Sequence, residues 1–102
     1  YHNSAYMSAT RRARLNQRLF KALKSGGHLI VIDHSTKTGT DIATAKTLHR
    51  MDQAIVLDEI QKAGFRLEQE SNFLRNPSDP RNQAYFDMEI PTDKFAFRFV
   101  KP

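Results

Sequence analysis

The run Leu23-Lys24-Ser25-Gly26-Gly27-His28-Leu29-Ile30-Val31-Ile32-Asp33-His34 decides how the rest of the chain is read. Leu29 to Ile32 are aliphatic without polar alternation, the pattern of a strand covered on both faces in a parallel α/β sheet. Ser25-Gly26-Gly27 is a helix stop, since glycine enters the left-handed conformation without a Cβ clash. The helix it closes covers about residues 8 to 24. Ala9, Ala13, Leu15, Leu19, Phe20 and Leu23 fall on one broad side of it, opposite Arg11, Arg14, Arg18 and Lys21.

Downstream, Ser35 to Arg50 holds five Thr and little apolar content and reads as a loop with a helical turn after Asp41. A loop of that length in a compact domain usually carries function. Asp52 can cap a second helix whose Ile55, Val56, Ile60 and Ala63 recur at helical spacing before Gly64 closes it. Phe65, Leu67 and Gln69 alternate with charged residues, as in a strand near a sheet edge. Asn76 to Asn82 is dense in turn residues and contains Pro77 and Pro80, so it is an irregular excursion. Phe95, Phe97 and Phe99 then project from one face of a last strand. A right-handed strand-helix-strand crossover makes the first two strands parallel, with the C-terminal strand returning antiparallel. The expected fold is therefore α/β: a mixed three-stranded sheet with flanking helices, a single domain over residues 1–102.

Composition narrows the function. The chain has 102 residues, 39% hydrophobic and 26% charged, which suits one core. It has no cysteine, which excludes disulfides, thiolate metal sites and a thiol nucleophile. No apolar run is long enough to span a bilayer, so no membrane association is expected. Residues 1–50 carry nine Lys/Arg against two Asp/Glu, and residues 51–102 seven against nine. A basic helix over Arg11 to Lys24 can contact a polyanion such as nucleic acid. Its one aromatic residue, Phe20, falls on the apolar side and not among the cations, and the solvated-face reading outweighs that alternative.

Ligands of open α/β sheets bind beyond the carboxyl ends of the strands. That rule selects Asp33, His34 and Ser35 after the first strand, with His49, Arg50 and Asp52 arriving at the end of the long loop and Tyr1-His2-Asn3 from the N-terminal side. Each has a plain structural alternative: caps for Asp33 and Asp52, a backbone partner for His34, a surface acid for Arg50. Imidazoles at such a rim suit general acid/base chemistry on a small substrate. Metal binding by His2, Asp33, His34 and His49 lacks an HxxxH-type spacing and is not expected. A Ser35 hydrolase lacks the G-x-S-x-G elbow, and neither G-x-G-x-x-G nor Walker A is present.

The quoted run resembles the LKPGGxLxVxD segment of class I S-adenosylmethionine-dependent methyltransferases, with Ser25 in place of proline. Leu48-His49-Arg50-Met51-Asp52, Ala63-Gly64-Phe65, Leu74 to Arg81 and Phe97 to Pro102 are similar to segments of a group of predicted bacterial methyltransferases, so the likeness covers nearly the whole chain. The resemblance implies the C-terminal half of a Rossmann-like methyltransferase domain. The last three strands of that fold would be present, the antiparallel seventh between the fifth and sixth, and the glycine-rich cofactor loop would lie upstream of Tyr1. It implies methyl transfer from S-adenosylmethionine to a small-molecule acceptor, in a chain catalytically incomplete by itself. His34 and His49 are then the catalytic candidates, Asp33 and Arg50 the substrate-binding ones, and Tyr1 and His2 line the cofactor's edge. Asn3 stands where the family often has aspartate. Arg75, Asn76, Asp79 and Arg81 are expected to hold a turn. A cytoplasmic location is expected, and so is a homodimer or other self-association through the open edge of the first strand.

Overall fold

Alternation of aromatic and small residues along the last strand organises the molecule. The computed structural model describes residues 1–102 as α1 (Ala9–Ala22), β1 (His28–His34), α2 (Ala45–Leu48), α3 (Gln53–Lys62), β2 (Arg66–Ser71) and β3 (Lys94–Val100). Short 3-10 turns lie at His2–Tyr6, Ile42–Thr44 and Tyr85–Asp87. Phe95, Phe97 and Phe99 point to one face of β3 and are fully buried, joining Val31, Met51, Val56, Ile60 and Phe65 in the core. Ala96 and Val100, on the other face, are buried too. A strand that buries apolar side chains on both faces is most stable at the centre of a sheet, even with Lys94 and Arg98 at two positions of the second face.

The strand order is accordingly β1-β3-β2. Both ladders are antiparallel, so the expected mixed sheet with a parallel pair is corrected to an antiparallel three-stranded one. β1 and β2 point the same way, but β3 separates them and they share no hydrogen bonds. The aliphatic run of β1 is also not covered on both faces. Val31 and Asp33 face the core, whereas Ile30 and Ile32 are 64% and 48% exposed. Apolar content in β1 therefore marks an uncovered face beside an unpaired edge. β2 forms the other edge, with a register shift between Leu67 and Gln69.

α1 begins where the Ser8 side chain accepts the Arg11 N–H. Its buried line differs from the apolar stripe in the sequence: Arg12 and Asn16 are buried, while Leu15 and Leu19 are each 38% exposed. Polar partners on α3 and at the N-terminus decide this. Arg12 Nε donates to both oxygens of Glu59 at 3.0 Å, and Asn16 Nδ2 donates to the Tyr1 hydroxyl at 2.9 Å. Phe20 packs edge-on against Phe65, ring centroids 5.1 Å apart. Gly64 permits that approach: its φ is +114°, and a Cβ there would lie 2.9 Å from the Phe20 ring. The C-terminal residues close the other end of α1, where Lys101 Nζ donates to the carbonyls of Phe20 and Leu23.

The excursion between β2 and β3 is held by one buried ion pair. Arg50 and Asp79 have fully buried side chains, with Arg50 Nη1 2.6 Å from Asp79 Oδ2 and Nη2 3.1 Å from Oδ1. The same guanidinium donates to the carbonyls of Gln83 and Ser35, and Asp79 also accepts the Asp93 and Arg81 N–H groups. Burial acts to raise the Asp79 carboxyl, but the Arg50 and backbone donors hold it below the usual carboxylate range. Asp79→Ala leaves a buried guanidinium unpaired and is expected to lower stability by about 3–5 kcal/mol. The control Asp58→Ala, in the exposed Lys62 pair, should leave the denaturation midpoint where it is.

Candidate active site

A carboxylate at the end of a core strand must be satisfied by donors, and Asp33 gathers them. It is 5% exposed. Oδ2 accepts the His2 N–H at 2.6 Å and lies 2.9 Å from the Tyr1 backbone nitrogen. Oδ1 lies 2.7 Å from His2 Nδ1 and accepts the His34 N–H at 2.8 Å. Burial alone would raise this carboxyl, but hydrogen bonds from the His2 ring and the His2 amide oppose it, and the carboxyl is held below its ordinary value. With Asp33 ionised, His2 Nδ1 is the donor, and a neutral ring then carries its lone pair on Nε2.

The long loop brings the other imidazole. Its two ends are joined by an isolated parallel bridge between Ser35 and Met51, in which Met51 N–H donates to the His34 carbonyl and Thr36 N–H to the Met51 carbonyl. His49 therefore arrives next to the end of β1. It sits in the left-handed region, at φ 52° and ψ 42°, and ends α2 by donating its N–H to the Ala45 carbonyl. Such a conformation is uncommon for a residue with a Cβ and accumulates at functional sites.

These side chains form one aromatic cluster. The His2 ring centroid lies 6.3 Å from His34, 5.6 Å from His49 and 6.1 Å from Tyr85. His34 stacks on Tyr85 at 3.8 Å with planes 7° apart, and His49 meets Phe86 at 5.3 Å. His34 Nδ1 is 2.7 Å from Thr92 Oγ1. Burial, with the positive charges of Lys94 and Arg50 and against the attraction of Asp33, pushes the His34 imidazole down to about 4. His34 is therefore neutral at pH 7.

Of the residues selected from the sequence, His2, Asp33, His34 and His49 are brought together. Asp33 orients His2 and has no free oxygen for a substrate. Arg50 is corrected from a substrate ligand to the anchor of the excursion, because its side chain is fully buried and each of its nitrogens donates within the chain. Asp52 is a helix cap, one oxygen accepting the Ala54 N–H and the other the Gly39 N–H. Tyr1 is corrected from cofactor edge to core. Its hydroxyl donates to Glu59 and accepts from Asn16, and burial pushes it up to about 12. His2 is tied to Asp33. Tyr1 and His2 thus offer no cradle for S-adenosylmethionine by themselves.

Arg75 and Asn76 bind Asp93, and Arg75 also donates to Gln53, so the excursion residues hold a turn as expected. Tyr85, Phe86 and Thr92 were not selected. Two adjacent aromatic residues, Phe86 61% exposed, in a turn-rich segment are the signal that could have found them. No group of His, Asp or Glu side chains is arranged to hold a metal ion. An apolar groove of about 360 Å³ over Ile30, Ile32 and Phe73 shares no residue with the imidazole cluster. No helix is long and apolar enough to cross a membrane. Comparison with family models, curated proteins and solved structures finds no match to the chain.

A histidine that titrates lower when folded binds fewer protons than the unfolded chain between its two pKa values. For His34 that window runs from 6.5 down to about 4, and the stability it contributes is lost as pH falls through it. Denaturant midpoints measured across this window should drop more steeply for the wild type than for His34→Gln, which cannot titrate.

Proposed function

We propose that the chain is the C-terminal portion of an S-adenosylmethionine-dependent methyltransferase domain that acts on a small-molecule acceptor. The observation that carries the reading is the strand order: the last strand lies antiparallel between two strands that point the same way, the arrangement implied by the resemblance of Leu23–His34. The imidazole cluster then sits beyond the carboxyl end of β1, where a Rossmann-like sheet binds its substrates.

S-adenosylmethionine would supply the methyl group. Tyr1 and His2 do not fit a cofactor cradle, so the roles derived for this chain concern the acceptor alone. His2, oriented by Asp33, is the base for the acceptor's proton, because its Nδ1 is fixed and its Nε2 is left to accept. His34, held neutral, and Tyr85 form a flat wall beside it. His49 closes the opposite side at the left-handed end of α2. In this reading His2, expected at the cofactor's edge, takes the catalytic place expected of His34, and His34 packs against Tyr85.

A second reading rests on α1, where Arg11, Arg14, Arg18 and Lys21 are exposed and make no ion pair, Arg12 alone being paired with Glu59. A polyanion contact there requires affinity that falls steeply with salt and is lost on Arg14→Ala/Arg18→Ala replacement.

Isothermal titration of S-adenosylmethionine into this chain, and into one extended upstream of Tyr1, tests the first reading. Binding by the longer chain alone is the expected result, and binding by neither overturns it.

A further inference from the structure

The imidazole cluster has more free hydrogen-bonding capacity than packing requires. His2 Nε2, His34 Nε2, both ring nitrogens of His49 and the Tyr85 hydroxyl have no partner within the chain, since the bonds made by these rings use only Nδ1 of His2 and of His34. None of these free atoms is sealed from solvent: the buried side-chain atoms without a partner are Asn16 Oδ1 and Arg81 Nε. Unpaired, solvent-reachable polar atoms among closely spaced flat rings describe a binding surface rather than a core.

The chemistry of the surface specifies its ligand. A neutral imidazole stacked on a phenol ring presents flat, polarizable faces suited to another planar ring. Beside it, an imidazole nitrogen backed by a buried carboxylate accepts a proton. Aliphatic ligands would leave the ring faces without a counterpart, and aromatic ethers would leave His2 Nε2 without a donor.

We propose that the cluster binds an aromatic hydroxyl compound, its ring against the His34–Tyr85 stack and its hydroxyl at His2 Nε2, and that the site ionises that hydroxyl. The O–H bond breaks with its electron pair kept on oxygen. The proton forms the Nε2–H bond of His2, and the resulting imidazolium stays paired with Asp33 through Nδ1–H. The inference rests on the methyl-acceptor reading for the use made of the oxyanion, and it deepens that reading by naming the acceptor class. Binding and ionisation themselves need no methyl donor.

The probe is 4-nitrophenol, which ionises near neutrality and whose anion absorbs visible light, with 4-nitroanisole as the ether that lacks the proton. Titrated with the full chain at fixed pH, 4-nitrophenol should show a saturable rise in phenolate absorbance, and the ether should bind more weakly. Tyr85→Ala should weaken 4-nitrophenol by about fivefold to tenfold, the worth of one aromatic pair. His2→Gln, which keeps a donor for Asp33 but no base, should still bind the probe, read by tyrosine fluorescence, without the absorbance rise. Phe73→Ala, on the separate apolar groove, should change neither quantity. The proposal is overturned if folded wild-type chain gives no saturable binding. It is equally overturned if the ether binds as well as the phenol, if the phenolate rise persists undiminished in His2→Gln, or if Phe73→Ala weakens binding as much as Tyr85→Ala. Failure of S-adenosylmethionine to bind, with these phenol results intact, removes the methyl-transfer reading and leaves the aromatic site in place. Failure here alone removes only the acceptor class.

Discussion

An ionised carboxylate withdrawn from water costs several kcal/mol unless donors replace its hydration, and Asp33 is placed under that obligation by lying on the core face of β1. Its solution draws the N-terminal 3-10 turn onto the end of the strand, because the nearest available donors are the Tyr1 and His2 nitrogens and the His2 ring. Fixing His2 in this way also fixes which of its nitrogens remains free. The arrangement is thus a by-product of satisfying a buried charge: the position of the His2 ring and the nitrogen it leaves free follow from one electrostatic requirement.

A second buried charge performs the same service for the irregular segment. The peptide groups of residues 72–93 form no continuous ladder, so their placement depends on side chains. Arg50 and Asp79 supply it by linking the Ser35 and Gln83 carbonyls to the Asp93 and Arg81 amides. That linkage carries Tyr85 and Phe86 to the histidines. Arg50 therefore acts on the site through the packing of the excursion, and its neighbour His49 meets the rings directly. Adjacent residues in sequence have opposite jobs because the left-handed turn at His49 sends their side chains apart.

Much of the fold was legible because it rests on local periodicity. The three strands, the Asp52 cap and the stop at Gly64 all follow from spacing over a few residues. What escaped depends on long-range partners. Four aliphatic residues in β1 imply two covered faces only if a layer exists on each side, and Ile30 and Ile32 meet none. The buried line of α1 runs through Arg12 and Asn16, which no hydropathy pattern would choose, since Glu59 and Tyr1 lie 47 and 15 residues away. Likewise His2, Asp33, His34 and His49 could be gathered from strand-end geometry, whereas Tyr85 needed the Arg50–Asp79 link to reach them, and that link is invisible in composition.

Asp52 joins these layers in one further way. One of its oxygens holds the first turn of α3 and the other the Gly39 amide near the tip of the long loop, 13 residues back. Helix α3 is packed into the core through Val56 and Ile60, so the loop tip is tethered to an element that cannot shift without disturbing the phenylalanine layer. The consequence is mechanical: a hinge motion of residues 35–50 would have to break the Asp52–Gly39 bond or carry the first turn of α3 with it.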